Sequence, residues 1–283
     1  MSNHLHTDLP PLTLSFMGAN FVARELGYGA ADEWGPFDVA TNAAFEPIDT
    51  YAARLDEILA IVASAGFEAM DMWLAHLNWR WATPEHVAIA RDLLDRHGIR
   101  VVSLAGSFGE TPSDLEAACR LANALDVDLL GGMGDVLRNH RSEAESVLRA
   151  GGVRFAYENH PERTPQEVLD LIGEADDVLG AAVDTGWWAT QGYDPVQAIR
   201  DLQGRLFYVH LKDVEEPGTH NTCMHGEGVA RIAECVDELL ELDYLGPLSI
   251  EHEPYDRDPL DECIRMRELI ETQLAVTGVG DRG

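Results

Sequence analysis

The sequence predicts an α/β fold, a single-domain (β/α)₈ TIM barrel, and three observations support this prediction. Eight short apolar runs alternate with eight amphipathic stretches of helical period, the pattern of a parallel sheet with a helix after each strand. No Gly-x-Gly-x-x-Gly motif follows the first run, which disfavours an open dinucleotide-binding sheet. The chain has 283 residues, 46% of them hydrophobic, a normal size for one barrel of eight units.

The apolar runs give the predicted strands, and the amphipathic stretches between them give the helices. We predict strands at residues 12–17, 67–73, 101–105, 128–131, 153–158, 179–184, 206–212 and 248–251. We predict helices at residues 51–64, 84–96, 112–124, 141–149, 165–174, 194–201, 229–240 and 258–274. Four helix starts place a capping side chain before proline, at Thr83, Thr111, Thr164 and Asp194. No linker divides the chain, so we expect one barrel over residues 11–276, with flexible ends at 1–10 and 277–283.

The segment 19–49 follows the first predicted strand and has no clear period. It contains the aromatic residues Tyr28, Trp34, Phe37 and Phe45. A loop of this length in a compact domain usually has a function, or is an unrecognised element. Because it leaves the carboxyl end of a strand, we expect it over the mouth of the barrel. A lid over the substrate, a structural plug and an oligomer contact all fit this position.

The charge of the chain is strongly acidic. Fifty acidic and 20 basic residues give a formal net charge of -30, which repels the phosphates of nucleic acids and anionic lipids. Lys212 is the single lysine among the basic residues. Because lysine offers a compact, titratable ammonium that arginine does not, we expect Lys212 to have a functional role.

The remaining composition points to a cytoplasmic protein with no membrane or nucleic-acid partner. The first residues lack the basic and apolar regions of a signal peptide, and no run approaches the ~18 apolar residues of a membrane span. The four cysteines form no Cys-x-x-Cys pair, which argues against a redox motif or a zinc ribbon. Scattered free cysteines suit a reducing compartment.

The last four predicted strands each end on a carboxylate or an imidazole: Glu158, Asp184, His210 and Glu251. Catalytic groups of (β/α)₈ barrels lie at these carboxyl ends, where three unneutralised carboxylates would repel one another. A divalent cation removes that conflict, and this donor set suits Mn²⁺, Mg²⁺ or Co²⁺ better than a thiolate-rich zinc site does. Polar residues are also common at strand ends as helix caps or surface pairs, but four in succession favour a metal site.

Five motifs in this half of the chain resemble the xylose isomerase-like barrel superfamily of sugar phosphate isomerases and epimerases. They are Glu158-Asn159-His160-Pro161-Glu162, Asp184-Thr185-Gly186, His210-Leu211-Lys212-Asp213-Val214, Gly226-Glu227-Gly228 and Ser249-Ile250-Glu251-His252-Glu253. The resemblance extends from about residue 12 to residue 274 and is strongest over 153–254. It implies that Glu158, Asp184, His210 and Glu251 bind one divalent metal ion. It also implies that Glu158 and Glu251 move the substrate proton.

Alternation along strands adds residues beside the expected ligands. His160, Lys212 and Glu253 each follow a ligand by two positions, so they should face the same side. Lys212 would polarise a substrate carbonyl or shuttle a proton, with a pKa lowered by the nearby dication; a salt bridge is the simpler alternative. His160 would act in catalysis or bind a hydroxyl, unless its hydrogen bond is structural, and Glu253 would contact substrate.

Further substrate contacts are expected from Trp187, Asp71 and His76. Tryptophans offer stacking surfaces for a sugar ring, although most aromatic residues pack in cores: Trp73, Trp79, Trp81, Trp187 and Trp188. Asp71 lies near the end of the second predicted strand, and His76 lies just beyond it. His220, Cys223 and His225 have the spacing of a second metal site, but an ordinary active-site loop is the better interpretation.

Two positions depart from the epimerase pattern and narrow the resemblance. Trp187 stands where many epimerases place a histidine, and Glu216 stands where the ketose 3-epimerases place an arginine. Inosose dehydratase-like members are therefore the more similar group.

The sequence thus predicts a metal-dependent sugar isomerase or epimerase that abstracts a proton next to a carbonyl and passes through an enediolate. Mn²⁺ is the expected cofactor, with Mg²⁺, Co²⁺ or Zn²⁺ as alternatives. The expected partner is a small sugar or polyol, and a homo-oligomer is compatible with the sequence. The main alternative is a lyase or dehydratase acting on a keto-inositol or a 3-keto-sugar. An endonuclease IV-like hydrolase and a non-catalytic subunit are further alternatives.

Overall fold

Eight parallel strands close into a barrel in the computed structural model, which describes residues 12–276. The strands are β1 (Leu14–Met17), β2 (Ala69–Trp73), β3 (Arg100–Ser107), β4 (Leu129–Met133), β5 (Arg154–Glu158), β6 (Leu179–Asp184), β7 (Leu206–Leu211), β8 (Asp213–Val214), β9 (Thr222–Cys223) and β10 (Leu248–Ile250). The order around the barrel is β1-β10-β7-β6-β5-β4-β3-β2, so the first and last barrel strands pair directly, with Leu14 opposite Leu248. The TIM barrel predicted from the sequence is confirmed.

Helices follow the strands around the outside of the barrel. They are α1 (Trp34–Phe45), α2 (Ile48–Ser64), α3 (Pro84–His97), α4 (Pro112–Ala124), α5 (Val136–Gly151), α6 (Pro165–Ile172), α7 (Thr185–Thr190), α8 (Pro195–Leu202), α9 (Ile232–Glu241) and α10 (Leu260–Val276). Within residues 12–276, none combines the length and apolar character needed to cross a bilayer. The termini predicted to be flexible, 1–10 and 277–283, lie outside the described residues.

The predicted helix starts at Thr83, Thr111, Thr164 and Asp194 are confirmed in detail. Each of these side chains accepts a hydrogen bond from a backbone N–H in the first turn of its helix. Such a cap contributes about 1 kcal/mol, because it satisfies an amide that has no partner inside the helix. The helices are therefore fixed at the residues that directly precede each proline.

Inside the barrel, the carboxylate of Asp71 is buried beneath the mouth. Ser15 and Ser249 donate hydrogen bonds to its Oδ2 at 2.7 and 2.6 Å, and Ser103 donates to its Oδ1 at 2.8 Å. Burial raises the pKa of Asp71, although these donors act against the shift. Asp71 thus belongs to a polar layer of the barrel interior that four strands share.

Four features differ from the sequence prediction, and the first is the six-residue helix α7, which was not predicted. Helix α5 has 16 residues instead of nine, because it begins before a break at His140, where φ is -144° and ψ is 38°. The segment 19–49, predicted without regular structure, contains a 3₁₀ turn at Gly18–Phe21 and the 12-residue helix α1. A two-stranded antiparallel sheet, β8 with β9, extends the loop after β7.

Candidate metal centre

Four potential metal ligands meet at the carboxyl ends of adjacent barrel strands. Glu158 ends β5, Asp184 ends β6, His210 lies in β7 and Glu251 directly follows β10. One nitrogen or oxygen atom from each lies within 4.8 Å of the others, and all four side chains are buried. It is the one such group found among residues 12–276. The strand ends singled out from the sequence are therefore brought together.

Several atoms of this group are buried without a hydrogen-bond partner in the described structure: Asp184 Oδ2, His210 Nδ1, His210 Nε2 and Glu251 Oε2. His210 Nδ1 lies 2.9 Å from Glu158 Oε1 and 2.6 Å from Glu251 Oε2, without the orientation of a hydrogen bond. Buried polar atoms normally have partners, because leaving one unsatisfied costs about 1–3 kcal/mol. Three carboxylates and one imidazole that converge in this way fit a divalent cation.

Neighbouring residues fix the orientation of Asp184. Its Oδ1 accepts a hydrogen bond from the backbone N–H of Trp187 at 3.1 Å and so caps α7. Its backbone N–H donates to Asn159 Oδ1 at 2.8 Å, and the Asn159 amide donates back to the carbonyl of Asp184. Since one carboxylate oxygen is used in the cap, the other is directed to the ligand group.

Lys212 is buried among carboxylates. Its Nζ lies 2.9 Å from Glu251 Oε1, 2.7 Å from Glu253 Oε2 and 3.8 Å from Asp184 Oδ2. Burial alone would lower the pKa of Lys212, but Glu251, Glu253 and Asp184 outweigh it and hold the pKa well above its ordinary value. The lowered pKa expected from the sequence referred to Lys212 beside a bound dication, so it stays a prediction. The salt bridge considered as the simpler alternative is present.

The pKa values of the carboxylates around Lys212 shift in different directions. Burial would raise the pKa of Glu251, but the charges of Lys212 and His210 keep it well below its usual range. Burial raises the pKa of Glu253 to about 8, against the opposing charge of Lys212. Burial likewise raises the pKa of Asp184 to about 6. Glu251 is therefore the carboxylate of this group that holds its negative charge most firmly.

His160 and Trp187 form an aromatic contact beside the ligands. The ring of Trp187 contacts those of His160 and His220 in tilted geometry, with centroid separations of 3.9 and 4.2 Å. His160 Nε2 lies 3.5 Å from Asp184 Oδ2 and has no hydrogen-bond partner among the described residues. Because burial lowers the pKa of His160 to about 4, its ring is neutral near pH 7.

The ligand group opens into a cavity of about 1360 Å³ at the mouth of the barrel. Its lining includes the predicted site residues Glu158, His160, Trp187, His210, Lys212, Glu251 and Glu253. Part of the outer wall comes from residues 29–46, where Trp34 and Asn42 face the cavity. The segment expected over the mouth of the barrel therefore lies there, as a wall that includes helix α1.

Asp71 and His76, predicted as substrate contacts, are not among the residues that line this cavity. Asp71 lies in the serine layer below it, and His76 is 1% exposed and packs against Phe45 and Trp73. Of the other tryptophans considered for stacking, Trp73 and Trp81 line the cavity, whereas Trp188 is fully buried. We therefore leave Asp71 and His76 out of the proposed substrate site.

The His220–Cys223–His225 segment does not assemble a second metal group within the described residues. His220 contacts Trp187, and a ring nitrogen of His225 lies 2.9 Å from the carbonyl oxygen of Leu211. His220 lines the cavity, whereas Cys223 lies in strand β9 of the extension after β7.

Asp213 has a role that the sequence did not reveal. Its buried carboxylate accepts hydrogen bonds from the backbone N–H groups of Gly226, Gly228 and Ala230 at 2.9, 3.2 and 2.9 Å. At Gly228, a Cβ would come within 2.2 Å of the carbonyl oxygen of Val214. The motifs that contain Asp213 and the two glycines were visible in the sequence, but their contact depends on how the loop after β7 folds back.

The closed barrel and the buried carboxylate–imidazole group define the chain as a (β/α)₈-barrel protein with a candidate divalent-metal site. The chain belongs to the xylose isomerase-like TIM barrel family, whose sequence model matches residues 59–272. Comparison with curated proteins gives no match.

Solved structures with the same fold include a D-allulose 3-epimerase from Methylomonas sp. in complex with D-allulose. It has a TM-score of 0.68 and 16% identity, covering 94% of this chain and 98% of that chain. The probable 3-DHS dehydratase AsbF from Bacillus anthracis has a TM-score of 0.65 and 14% identity, covering 92% and 99%. A xylose isomerase-like TIM barrel protein from Mycobacterium smegmatis in complex with magnesium has a TM-score of 0.68 and 17% identity, covering 96% and 98%. At these identities the likeness concerns the fold.

Proposed function

We propose that the protein is a divalent-metal-dependent isomerase or epimerase of a sugar or polyol. The observation that carries this proposal is the group of four buried ligand atoms within 4.8 Å of one another, several without partners, which opens into the cavity. Perturbed carboxylates in a concave site at the mouth of a barrel are typical of a catalytic centre.

Mn²⁺ is the metal that we propose, because three carboxylates and one imidazole suit it well. Mg²⁺ and Co²⁺ accept similar donors, and Zn²⁺ is a further alternative. Glu158, Asp184, His210 and Glu251 would hold the ion. When bound, the ion would polarise the substrate carbonyl and so acidify the C–H beside it.

Glu158 and Glu251 are the proposed proton carriers. Their carboxylates approach the His210 ring from β5 and from the end of β10, at 2.9 and 2.6 Å. Lys212 donates a hydrogen bond to Glu251 Oε1, which leaves Oε2 without a partner and favours the charged form. Glu251 is thus in the deprotonated form that a general base needs, and Glu158 would return a proton from another side of the site.

His160 and Trp187 are the proposed substrate-binding residues beside this pair. The neutral His160 ring can hydrogen-bond a substrate hydroxyl through Nε2, which has no described partner. Trp187 offers an aromatic wall for the apolar face of a sugar ring. Both act by holding the substrate so that its C–H lies next to a carboxylate.

A lyase is the second candidate, and Lys212 is the observation that favours it. The Lys212 side chain lines the cavity, where its ammonium could hydrogen-bond a leaving hydroxyl, whereas an epimerase needs only the carboxylate pair. Dehydration begins with the same proton removal and ends when the hydroxyl leaves as water with the proton that the carboxylate took. The excess of carboxylates in the lining argues against nucleic acid as substrate.

The test is a reaction screen in D₂O with product identification by NMR and mass spectrometry. Protein loaded with Mn²⁺ would be incubated with ketoses, keto-inositols and 3-keto-sugars. An isomerase or epimerase should give a product of unchanged formula that carries solvent deuterium on the carbon that exchanged its proton. A lyase should give a product lacking one water. Full turnover by protein stripped of metal would contradict both candidates.

A further inference from the structure

The loop after β7 contains an anion-binding turn that the chain itself occupies. In (β/α)₈ barrels, phosphate groups frequently bind at the loops after the seventh and eighth strands. Here that loop contains Gly226-Glu227-Gly228, whose glycine N–H groups could cradle an anion. Instead, the amides of Gly226 and Gly228 donate to Asp213 Oδ2, and the amide of Ala230 donates to Oδ1.

There is no room beside Asp213 for a second anion. Asp213 is 1% exposed, and a Cβ built on Gly228 would lie 2.4 Å from its Oδ1. A phosphate would have to displace this carboxylate to reach the same amides. The glycine amides of this loop are therefore occupied by a negatively charged side chain of the protein itself.

The cavity lining is also strongly acidic. Nine carboxylate side chains line the cavity, against three lysine or arginine side chains. A divalent cation would neutralise part of the ligand group but would leave carboxylates such as Asp38, Glu215 and Asp256 in the wall. An anionic ligand that enters the cavity therefore meets a net negative charge in the wall, which repels it.

Two of the three cations in the lining are held in ion pairs. Lys212 bridges Glu251 and Glu253, and Arg257 pairs with Glu262 at 3.0 Å and Asp256 at 2.9 Å. The third, Arg80, is exposed, and its guanidinium lies 4.4 Å from the ring centroid of Trp79. Tight phosphate binding requires several charged donors that converge, and the ion pairs leave only this one guanidinium of the lining for that purpose.

The N-terminus of α1 reaches the cavity at Trp34 and would otherwise attract an anion. The residues that precede it are Asp32 and Glu33, which also line the cavity. Their carboxylates already complement the positive end of the helix. This end of the cavity therefore disfavours a phosphate as well.

We infer that the cavity accepts an uncharged, unphosphorylated polyol or sugar and rejects the phosphate ester of the same compound. The inference rests on the proposed function and specifies its substrate class. It departs from the sugar phosphate chemistry that the sequence resemblance implied, and it rests on Asp213 and on the charges of the lining.

The test is isothermal titration of Mn²⁺-loaded protein with matched pairs of ketoses, pentitols and inositols and their monophosphates. Inorganic phosphate serves as the control for direct binding to the metal. We expect the parent compounds that bind to do so at least about 30-fold more tightly than their esters. An ester that binds as tightly as its parent overturns the inference. If no compound of either kind binds, the proposed function is contradicted, and the inference falls with it.

Two sets of variants make the test specific to charge. The double substitution Asp32→Asn and Glu33→Gln should reduce the difference in affinity between a parent compound and its ester. Glu116→Gln, at an exposed residue outside the cavity, should leave that difference unchanged. Asp213→Gly opens the turn, so inorganic phosphate should raise its Tm but not that of the wild type. If Asp213→Gly does not fold, the test rests on the Asp32 and Glu33 variant. An unchanged difference in affinity between parent and ester in that variant contradicts the inference.

Discussion

The Lys212 ammonium lies 2.7 Å from Glu253 Oε2, and this contact ties a carboxylate outside the ligand group to the group itself. The same ammonium lies 2.9 Å from Glu251 Oε1. Behind it, a Cβ on Gly186 would come within 2.7 Å of Lys212 Cγ, so the stem passes through a space that only glycine leaves open. The single lysine of the chain is thus held between two carboxylates on a closely fitted path.

Replacing Lys212 with arginine tests whether this position needs more than a positive charge. The planar guanidinium is larger than an ammonium, does not release its proton, and cannot reproduce both contacts on the same path. We expect kcat to fall at least about tenfold, roughly 1.4 kcal/mol of transition-state stabilisation, with metal content nearly unchanged. Steady-state kinetics and metal analysis measure both. The exposed Arg120→Lys variant is the control, and normal turnover by Lys212→Arg would reduce the role of Lys212 to charge.

Removing a ligand should remove the metal. We expect Asp184→Ala and His210→Ala to lose the ion, and chelation to abolish the activity of the wild type. A ligand that binds only the folded state stabilises it by about 2.7 kcal/mol at a concentration one hundred times its Kd. Mn²⁺ should therefore raise the Tm of the wild type but not of these variants. Glu215→Gln, which changes a cavity carboxylate outside the ligand group, should respond to Mn²⁺ as the wild type does.

The two proposed proton carriers can be separated from the other ligands. Glutamine at Glu158 or Glu251 keeps an oxygen donor but cannot take a proton at neutral pH. We expect Glu158→Gln and Glu251→Gln to retain some metal and to lose rate by roughly 10²-fold or more. Deuterium incorporation from solvent should fall in parallel with turnover. A product formed without solvent deuterium in the wild type would remove the two-carboxylate scheme.

Buried histidines should make the protein sensitive to acid. Burial lowers the pKa of His76 from 6.5 to about 3 and that of His225 from 6.5 to about 4. Their neutral forms therefore stabilise the fold above pH 6.5, and this stability is lost as the pH falls from 6.5 towards 3. Each should contribute a slope of about 1.4 kcal/mol per pH unit in that range.

Denaturant unfolding at several pH values measures this slope. His76→Leu removes one titrating group without removing a described side-chain hydrogen bond. The slope of the free energy of unfolding against pH should therefore decrease by the contribution of about one proton. His140→Gln changes a histidine whose side chain is 43% exposed and is the matched control. A His76→Leu variant with the slope of the wild type would show that His76 is not the group responsible.

The strands and the ligand group could be predicted from the sequence because both depend on local pattern. Apolar runs ending on Glu158, Asp184, His210 and Glu251 mark the carboxyl ends of strands, and the barrel brings those ends together. Helix α1 was missed because its buried residues, Phe37, Thr41 and Phe45, form a narrow stripe in a run that begins Trp-Gly-Pro. It packs at the cavity rim and lacks a broad apolar face.

The depth of a residue along the barrel could not be predicted from alternation. Asp71 and Trp73 share a face of β2, yet Trp73 lines the cavity while Asp71 lies below it among serines from β1, β3 and the last strand. Alternation gives the side of the strand, whereas depth depends on the register of the neighbouring strands. The role of Asp213 could not be predicted either, because its hydrogen-bond donors lie 13–17 residues further along the chain.

The barrel closes where its first and last strands, β1 and β10, pair with each other. Asn20, just after β1, donates to the carbonyl of Ile250 at 3.0 Å and accepts from the N–H of His252 at 2.8 Å, on either side of Glu251. During synthesis, more than two hundred residues must therefore be added after β1 before its second neighbour in the barrel, β10, is made. Until then the nascent barrel has unpaired strand edges and an incomplete ligand group. The proposed metal site is thus complete only after the last strand of the barrel has been made and has paired with β1.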